Sequence, residues 1–321
     1  MSKLALERLD DAQVWQKLME RSPQTTRFLD PDFLTLFDAS IRFYGLMRSG
    51  VCGTGLPVID PRAIGMVALP WCYKQGPIFH DEVYKGARAK RIQYEIELAE
   101  IALTQLAKVE PWFRFALHES LTDVRGYDWV HYHDADKARC SVLPRYTSVL
   151  SLEGVTAKDI RKNARSARRQ EEGYARSREA LTTSADGKPE ELFALYCETF
   201  ARQNIEFSTS ERTLFAPYIA HFLNAGVGHI LMVRDETGRA VAGAFVFKDY
   251  DDVWHVPIVG TSDTRYGGTL LYFFMADFVL QHGGSALDFD GANSPNRAYF
   301  KHSLGAEPQL YFEIRYKAAN D

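Results

Sequence analysis

The sequence predicts an α/β protein of two modules in tandem, each a mixed sheet flanked by helices, and three observations carry that prediction. First, the stretch from Val253 to Gly291 runs from an apolar, aromatic segment (Val253 to Val259) through a loop rich in Gly, Ser and Thr. It then enters an apolar-periodic helix, stops at His282-Gly283-Gly284 and resumes as a short strand. Strand, loop, helix, strand is the unit that sets an oriented helix N-terminus beside two strand ends. Second, the same coarse order recurs before residue 145, without a residue-level repeat. Third, 321 residues suit two domains with ample core. The expected boundaries are 1–145 and 146–321.

In chain order, Ala12 to Glu20 has the spacing of an amphipathic helix. A second helix follows Asp30-Pro31, where Asp caps, Pro takes the first helical position, and Phe33, Leu36 and Phe37 form the apolar face. From Ile41 to Phe79 the pattern turns to short β-like runs, including Arg42 to Met47 and Ile64 to Leu69, punctuated by Gly and Pro. A long helix is expected over Lys85 to Lys108, followed by strands at Trp112 to Leu117 and Trp129 to His133. In the second half, Tyr146 to Leu152 reads as a strand and Lys158 to Arg178 as a basic helix. There Lys158, Arg161, Lys162, Arg165, Arg168 and Arg169 recur at three- and four-residue spacing on one face. That face suits either a solvated helix paired to Glu171 and Glu172 or contact with phosphates.

The next helix carries Leu270, Leu271, Phe274 and Phe278, widened by Tyr272, Phe273, Met275, Val279 and Leu280 until little is left for water, so it is expected to be buried. Thr269 is placed to cap it and the Gly pair at 283 and 284 to stop it. Ser285 to Phe289 then reads as a buried strand ending on Asp290-Gly291, a carboxylate at the C-terminal end of a strand, where open α/β sheets bind ligands. Before the buried helix, Arg265-Tyr266-Gly267-Gly268 lets backbone amides approach an anion that Arg265 can neutralise. The first half offers Lys74-Gln75-Gly76-Pro77 at the corresponding place, unsuited to wrapping a phosphate.

Composition excludes several classes. A hydrophobic fraction of 46% and a charged fraction of 25% are those of an ordinary folded protein, and a net charge of −4 gives no global pull towards nucleic acid or acidic lipid. Cys52, Cys72, Cys140 and Cys197 are scattered without a C-x-x-C pair, as reduced thiols are. The N-terminus lacks the apolar core of a signal peptide, and Asp277 interrupts the longest apolar run, so a cytoplasmic protein without membrane insertion is expected. His131-x-His133 with Asp134 and Asp136 imitates a metal-ligand pattern on a strand, but no metal is expected, and His133 is instead a candidate to touch an acceptor.

Within the last 175 residues or so, the series Leu287-Asp288-Phe289-Asp290-Gly291, Tyr299-Phe300-Lys301 and Leu304-Gly305-Ala306-Glu307-Pro308 resembles the C-terminal half of FemAB-like proteins, which belong to the GNAT acyltransferase superfamily. Tyr146 to Arg169 is similar to that family's strand and basic helix. The resemblance implies two GNAT-like modules with catalysis in the second. It implies an acyl-CoA co-substrate held by Val259, Arg265, Gly267, Gly268 and Thr269, although Leu270 stands where the family's loop has its last small residue. A backbone amide of the strand Val256 to Val259 would hold the oxyanion, and Pro257 would bulge that strand and splay it from the next. Asp290 is then the expected base, His255 the second choice, and Tyr299 a proton source for the departing thiolate. Asn293, Asn296, Lys301, Arg165 and His133 are the expected substrate contacts.

By analogy with relatives that modify envelope precursors, the expected reaction acylates a nucleotide-linked amino sugar for surface polysaccharide. The alternatives are an aminoacyl-tRNA-dependent transferase acting on a peptidoglycan precursor and a non-catalytic module that binds a nucleotide sugar or a partner protein. Nucleic acid enters only in the first of these.

Overall fold

The structure, a computed structural model, describes residues 4–37, 40–66 and 68–318. It separates into two compact units, Met1–Arg145 with Leu310–Asp321, and Tyr146–Gln309. The residues from Leu310 on, expected with the second module, group with the first.

In the first unit, β1 (Ala5–Arg8), α1 (Ala12–Met19), α2 (Pro31–Leu34), β2 (Ser40–Arg48), β3 (Val51–Asp60) and β4 (Ile78–Phe79) precede the long helix α3 (Arg88–Leu106). β5 (Trp112–Ala116) and the short α4 (Arg125–Asp128) follow. The sheet β1-β2-β3-β4 is antiparallel throughout. β5 pairs antiparallel with the C-terminal strand, Glu307–Lys317, over Glu313 to Lys317. Glu110 is buried and accepts from the Arg42 guanidinium and from the Tyr44 hydroxyl at 2.5 Å, so its charge is both paired and hydrogen-bonded.

Two expected strands are absent among the described residues. Pro61–Ile64 is a 3-10 turn capped by Asp60, because Pro at its start and Gly65 in the left-handed region favour a turn over a strand, and Val67 lies outside the described residues. Trp129 to His133 is a run of turns after α4, with His131 at φ +55 and its Nδ1 2.8 Å from the Ala138 carbonyl oxygen, so His131 and His133 do not share a strand face.

In the second unit, β6 (Ser141–Ser151, within the unit from Tyr146) leads to α5 (Ala157–Asn163), α6 (Ser166–Ser177), β7 (Thr182–Ser184), α7 (Pro189–Arg202) and α8 (Thr209–Asn224). Then come β8 (Gly228–Arg234), β9 (Ala240–Lys248), β10 (Val253–Thr261), α9 (Gly267–Gln281), β11 (Ala286–Gly291) and α10 (Pro295–Ser303). The strand order is β6-β11-β10-β9-β8-β7, mixed because β10 and β11 run parallel and the other pairs antiparallel. Strand alternation divides β9 between two layers. Ala242, Ala244 and Val246 pack with α9, whose Leu270, Leu271, Met275 and Val279 are wholly buried. Phe245 and Phe247 face α8, where Phe222 stacks on Phe247 with centroids 4.1 Å apart.

The expected single basic helix is two helices. The break comes at Ala164 and Arg165, which are extended at ψ 154 and 145, and the Arg165 amide donates to Ser303 O at 2.9 Å. The arginines of this segment brace α9. Arg161 forks between Glu172 and Asp277 at 2.6 to 3.0 Å, and Arg168 reaches Glu171 at 2.6 Å and Ser303 at 2.7 Å.

Two positions hold the sheet where it matters below. A Cβ on Gly260 of β10 would stand 2.5 Å from the Tyr196 amide nitrogen and 2.6 Å from the Leu195 carbonyl carbon, so α7 approaches β10 backbone to backbone. Lys301 of α10 is buried, and its ammonium donates to the carbonyls of Phe289, Asp290 and Gly291 at 2.5, 2.9 and 2.9 Å, pinning the end of β11. Burial pushes this ammonium down to about 8, against the pull of Asp290 and Asp288.

Gly260→Ala is expected to cost about 1–3 kcal/mol in urea melts, because the clash is with backbone that cannot rotate away; a loss within error would mean that α7 moves freely over β10. An unfolded lysine keeps its proton to about pH 10.4. Above pH 8 the unfolded chain therefore binds more protons than the folded one, and the stability contributed by Lys301 rises with pH up to the unfolded value. The stability gap between wild type and Lys301→Met is expected to widen by about 3 kcal/mol from about pH 7.5 to about pH 10.5. A constant gap would contradict the depressed ammonium.

Candidate active site

The site is organised by two bulges at one level of the sheet. β10 pairs with β9 as His255 with Phe247 and then Ile258 with Phe245, an extra residue at Val256-Pro257. β11 pairs with β6 as Asp288 with Val149 and then Gly291 with Thr147, an extra residue at Phe289-Asp290. Between them the parallel ladder of β10 and β11 runs from Val253 with Ala286 to His255 with Asp288, and no pair continues it among the described residues. Bulged strands bend. From His255 on, β10 therefore carries its inner edge, Val256 to Gly260, away from β11, with Pro257 lacking an amide. The register shift lies at Pro257, where the bulge was expected.

Four titratable side chains gather where the strands part. His255 Nε2 lies 3.2 Å from Asp249 Oδ2, and its Nδ1 lies 3.6 Å from Asp290 Oδ1 and 3.9 Å from Asp288 Oδ2. Side-chain exposures of 2% for Asp249, 1% for His255 and 0% for Asp288 against 13% for Asp290 make Asp290 the one of these four that meets solvent. Asp249 also accepts from the Tyr250 amide at 2.8 Å, and the Phe247 ring lies 5.2 Å from the imidazole. Asp288 accepts from the Thr147 hydroxyl and, at 2.9 Å, from the Asp290 amide. Asp290 itself has φ +57, a left-handed conformation rare outside Gly, Asn and Asp, and Lys301 grips its carbonyl.

His255, Asp288 and Asp290 bring ligand-type atoms within 4.8 Å of one another. Asp288 Oδ1 accepts the Thr147 hydroxyl and the Asp290 amide, and its Oδ2 is the oxygen turned towards His255.

The second feature is the start of α9. Tyr266 at φ +63 forms the N-cap, and Leu270 is the first amide to reach back, to Tyr266 O at 3.0 Å. The amides of Gly267, Gly268 and Thr269 therefore precede the helical ladder and point out of its end. A Cβ on Gly267 or Gly268 would meet nothing closer than 3.6 or 3.8 Å, so neither packing nor backbone conformation within the unit calls for glycine there. Arg265 is exposed beside them and Val259 is partly buried on β10. Thr269, expected as the cap, instead donates its hydroxyl to Glu171 Oε2 at 2.6 Å, because the left-handed Tyr266 moves the helix start upstream.

Other expected contacts are used within the protein. The Lys301 ammonium is buried and its donors end on carbonyls, since α10 turns it back under β11. Asn293 brackets the Tyr146 backbone, its Oδ1 accepting at 2.9 Å and its Nδ2 donating at 3.1 Å, which extends the pairing of β6 past β11. Asn296 and Tyr299 are exposed on α10, Tyr299 at 73%. Arg165 is exposed at the break between α5 and α6, and His133 is exposed in the first unit. Sequence reasoning missed Asp249, Asp288 and Thr147; an acidic residue in the turn Asp249 to Asp252 reads as turn chemistry, and nothing local marks it as buried. Within the first unit a shallow cleft of about 70 Å³, lined among others by Tyr73, Trp112, Arg114 and Tyr311, contains none of the expected site residues.

Residues 156–302 match the acetyltransferase (GNAT) domain family. No curated protein matches the chain. Among solved structures, FemX superposes with a TM-score of 0.62 at 12% identity, over 95% of this chain and 96% of that one. A tandem GNAT protein from the clavulanic acid biosynthesis pathway gives 0.56 at 15% identity, over 99% of both chains. The L-PGS of Bacillus licheniformis gives 0.53 at 13%, over 97% and 93%. At such identities the likeness is one of fold. No helix among the described residues is long and apolar enough to cross a membrane. The match to the acetyltransferase (GNAT) domain family covers residues 156–302, and the fold of the chain is similar to those of FemX and the tandem GNAT protein.

Proposed function

We propose that the protein transfers an acyl group from an acyl-CoA to the primary amine of a nucleotide-linked amino sugar used in surface polysaccharide. The observation that carries the acyl-CoA reading is the parting of β10 from β11 at His255 and Asp288, with Asp290 at its mouth and the glycine-opened end of α9 following on from β10. An edge that no longer pairs with β11, beside a carboxylate, supplies what aminolysis of a thioester needs. An amide of Val256, Ile258 or Val259 holds the oxyanion, and Asp290 receives the proton that the attacking amine sheds. The pyrophosphate of the donor rests on the amides of Gly267, Gly268 and Thr269, with Arg265 as counter-charge. The C–N bond forms as the C–S bond breaks, and Tyr299 or water returns a proton to the thiolate.

A second reading rests on the exposed Lys158, Lys162, Arg165 and Arg176 of α5 and α6, together with the fold likeness to FemX. FemAB enzymes take aminoacyl-tRNA, and such a donor would meet these residues through its phosphates.

Thermal melting with acetyl-CoA, free CoA, UDP-linked amino sugars and bulk tRNA separates the readings, because a ligand of the folded state stabilises by mass action. The expected result is stabilisation by both CoA species, with affinity about tenfold weaker in Arg265→Ala through loss of one charge-assisted contact. Stabilisation by tRNA alone would replace the acyl-CoA reading with the second one.

A further inference from the structure

Asp249 has no role in the reaction described above, yet its carboxylate is buried and held on both oxygens. It sits in the tight turn between β9 and β10, where its own amide donates to Val253 O at 2.8 Å and its Oδ1 accepts the Tyr250 amide at 2.8 Å. Only Oδ2 is left to face His255 Nε2, at 3.2 Å, in a place with 1–2% exposure. An ionised carboxylate can only accept, so Nε2 carries the hydrogen and, in the neutral ring, Nδ1 is a lone pair. That lone pair points at Asp290, 3.6 Å away, at the level where β10 and β11 separate.

We infer that His255 and Asp290 act as one proton-accepting pair in acyl transfer, and that Asp249 is the positioning residue that fixes the imidazole in the tautomer able to take the proton. The inference rests on the acyl-transfer reading above. As the amine nitrogen bonds to the thioester carbon, its surplus proton passes to Asp290 Oδ1 and on to His255 Nδ1, which restores the Asp290 carboxylate. The imidazolium then lies between Asp249 and Asp290. After the C–S bond breaks, the proton leaves through Asp290, the exposed member, and the thiolate is protonated separately. The charged groups around the ring are Asp249 from the β9–β10 turn, Asp288 and Asp290 from β11, and Lys301 from α10, with Arg297 acting on Lys301 from the same helix. Asp288 Oδ1 is committed to Thr147 and the Asp290 amide, and its Oδ2 lies 3.9 Å from Nδ1 without access to solvent, whereas Asp290 Oδ1 lies at 3.6 Å on the one carboxylate that solvent reaches.

The test is Asp249→Asn in the full chain. Because the Tyr250 amide holds Oδ1, the new amide nitrogen takes the Oδ2 position and donates to Nε2. This forces hydrogen onto Nδ1 and removes the acceptor that faces Asp290. Nitrogen-15 spectra of the histidine rings are expected to show His255 protonated on Nε2 in wild type and on Nδ1 in Asp249→Asn. Thiol release from acetyl-CoA, with glucosamine, lysine and UDP-linked amino sugars as amine probes, is expected to lose about 100-fold in kcat with KM for acetyl-CoA unchanged. His255→Gln, whose amide can still donate to Asp249, should lose as much, and the double variant no more. If Asp249→Asn does not fold, His255→Gln carries the kinetic test alone. An unchanged tautomer, or more than half of the wild-type kcat in either variant, would overturn the pair and leave the acyl-CoA reading standing. Wild type that neither binds acetyl-CoA nor releases thiol would overturn both.

Discussion

The rest of the second unit depends on a broken ladder. Two parallel strands that stay in register bury their inner amides in each other and leave nowhere for a substrate to enter. Here β10 bulges against β9 and β11 bulges against β6 at the same height, so the strands diverge after only three paired positions on each. Pro257 contributes by having no amide to give to either neighbour. α7 and α9 keep this opening from collapsing. One lies backbone to backbone on Gly260, and the other fills the opposite face with side chains that see almost no water. The slot is a local defect in an otherwise tightly packed sheet, and packing on both sides makes it permanent.

The second constraint is buried charge. Asp249, Asp288 and Lys301 would each cost several kcal/mol if desolvated without partners. Each has them: the Tyr250 amide and His255 for Asp249, the Thr147 hydroxyl and a main-chain amide for Asp288, and carbonyls of β11 for Lys301. The Lys301 ammonium does two things at once. It offsets the negative charge gathered around His255, and it holds the β11 terminus in a shape that includes a left-handed Asp290. Strain of this kind costs about 1–3 kcal/mol and persists only where surrounding contacts over-determine it. Two carbonyls flanking the strained residue, held by the same ammonium that grips its own, are such contacts.

Much of this was legible in the sequence because the signals are local. Apolar periodicity marked α9, glycine marked its end, and a carboxylate at the end of a buried strand marked Asp290. The position of Pro257 in an apolar strand was enough to expect the bulge, and the splay was expected from the family resemblance. What escaped was set by tertiary partners. Lys301 and Asn293 look like ligand-reading residues in a polar stretch, and only the return of α10 under β11 turns the lysine inward. Asp249 looks like any turn aspartate until His255 is placed beside it. The false strand at Trp129 to His133 has strand composition, but Gly126 within α4 packs against α3, where a Cβ would stand 2.5 Å from Ile96 O, and the chain leaves that contact through turns.

The basic segment shows how far such partners reach into function. Read as one helix, its six cations form a phosphate-facing stripe, and a polynucleotide donor would be the natural occupant. Folded as two helices, it spends Arg161 on Glu172 and Asp277, Arg168 on Glu171 and Ser303, and Arg169 on the carbonyls of Arg161 and Ala164. The Arg161 and Arg168 guanidinia are tied to carboxylates and to α9 and are withdrawn from a phosphate-facing stripe. Lys158, Lys162, Arg165, Arg169 and Arg176 are exposed, a smaller and less continuous set than the single-helix stripe. On the proposed acyl-CoA reading, a donor's charge would meet mainly the amides that open α9 and Arg265. The bracing of α9 by Arg161 and Arg168 supports that reading over one in which the basic segment acts as a single stripe.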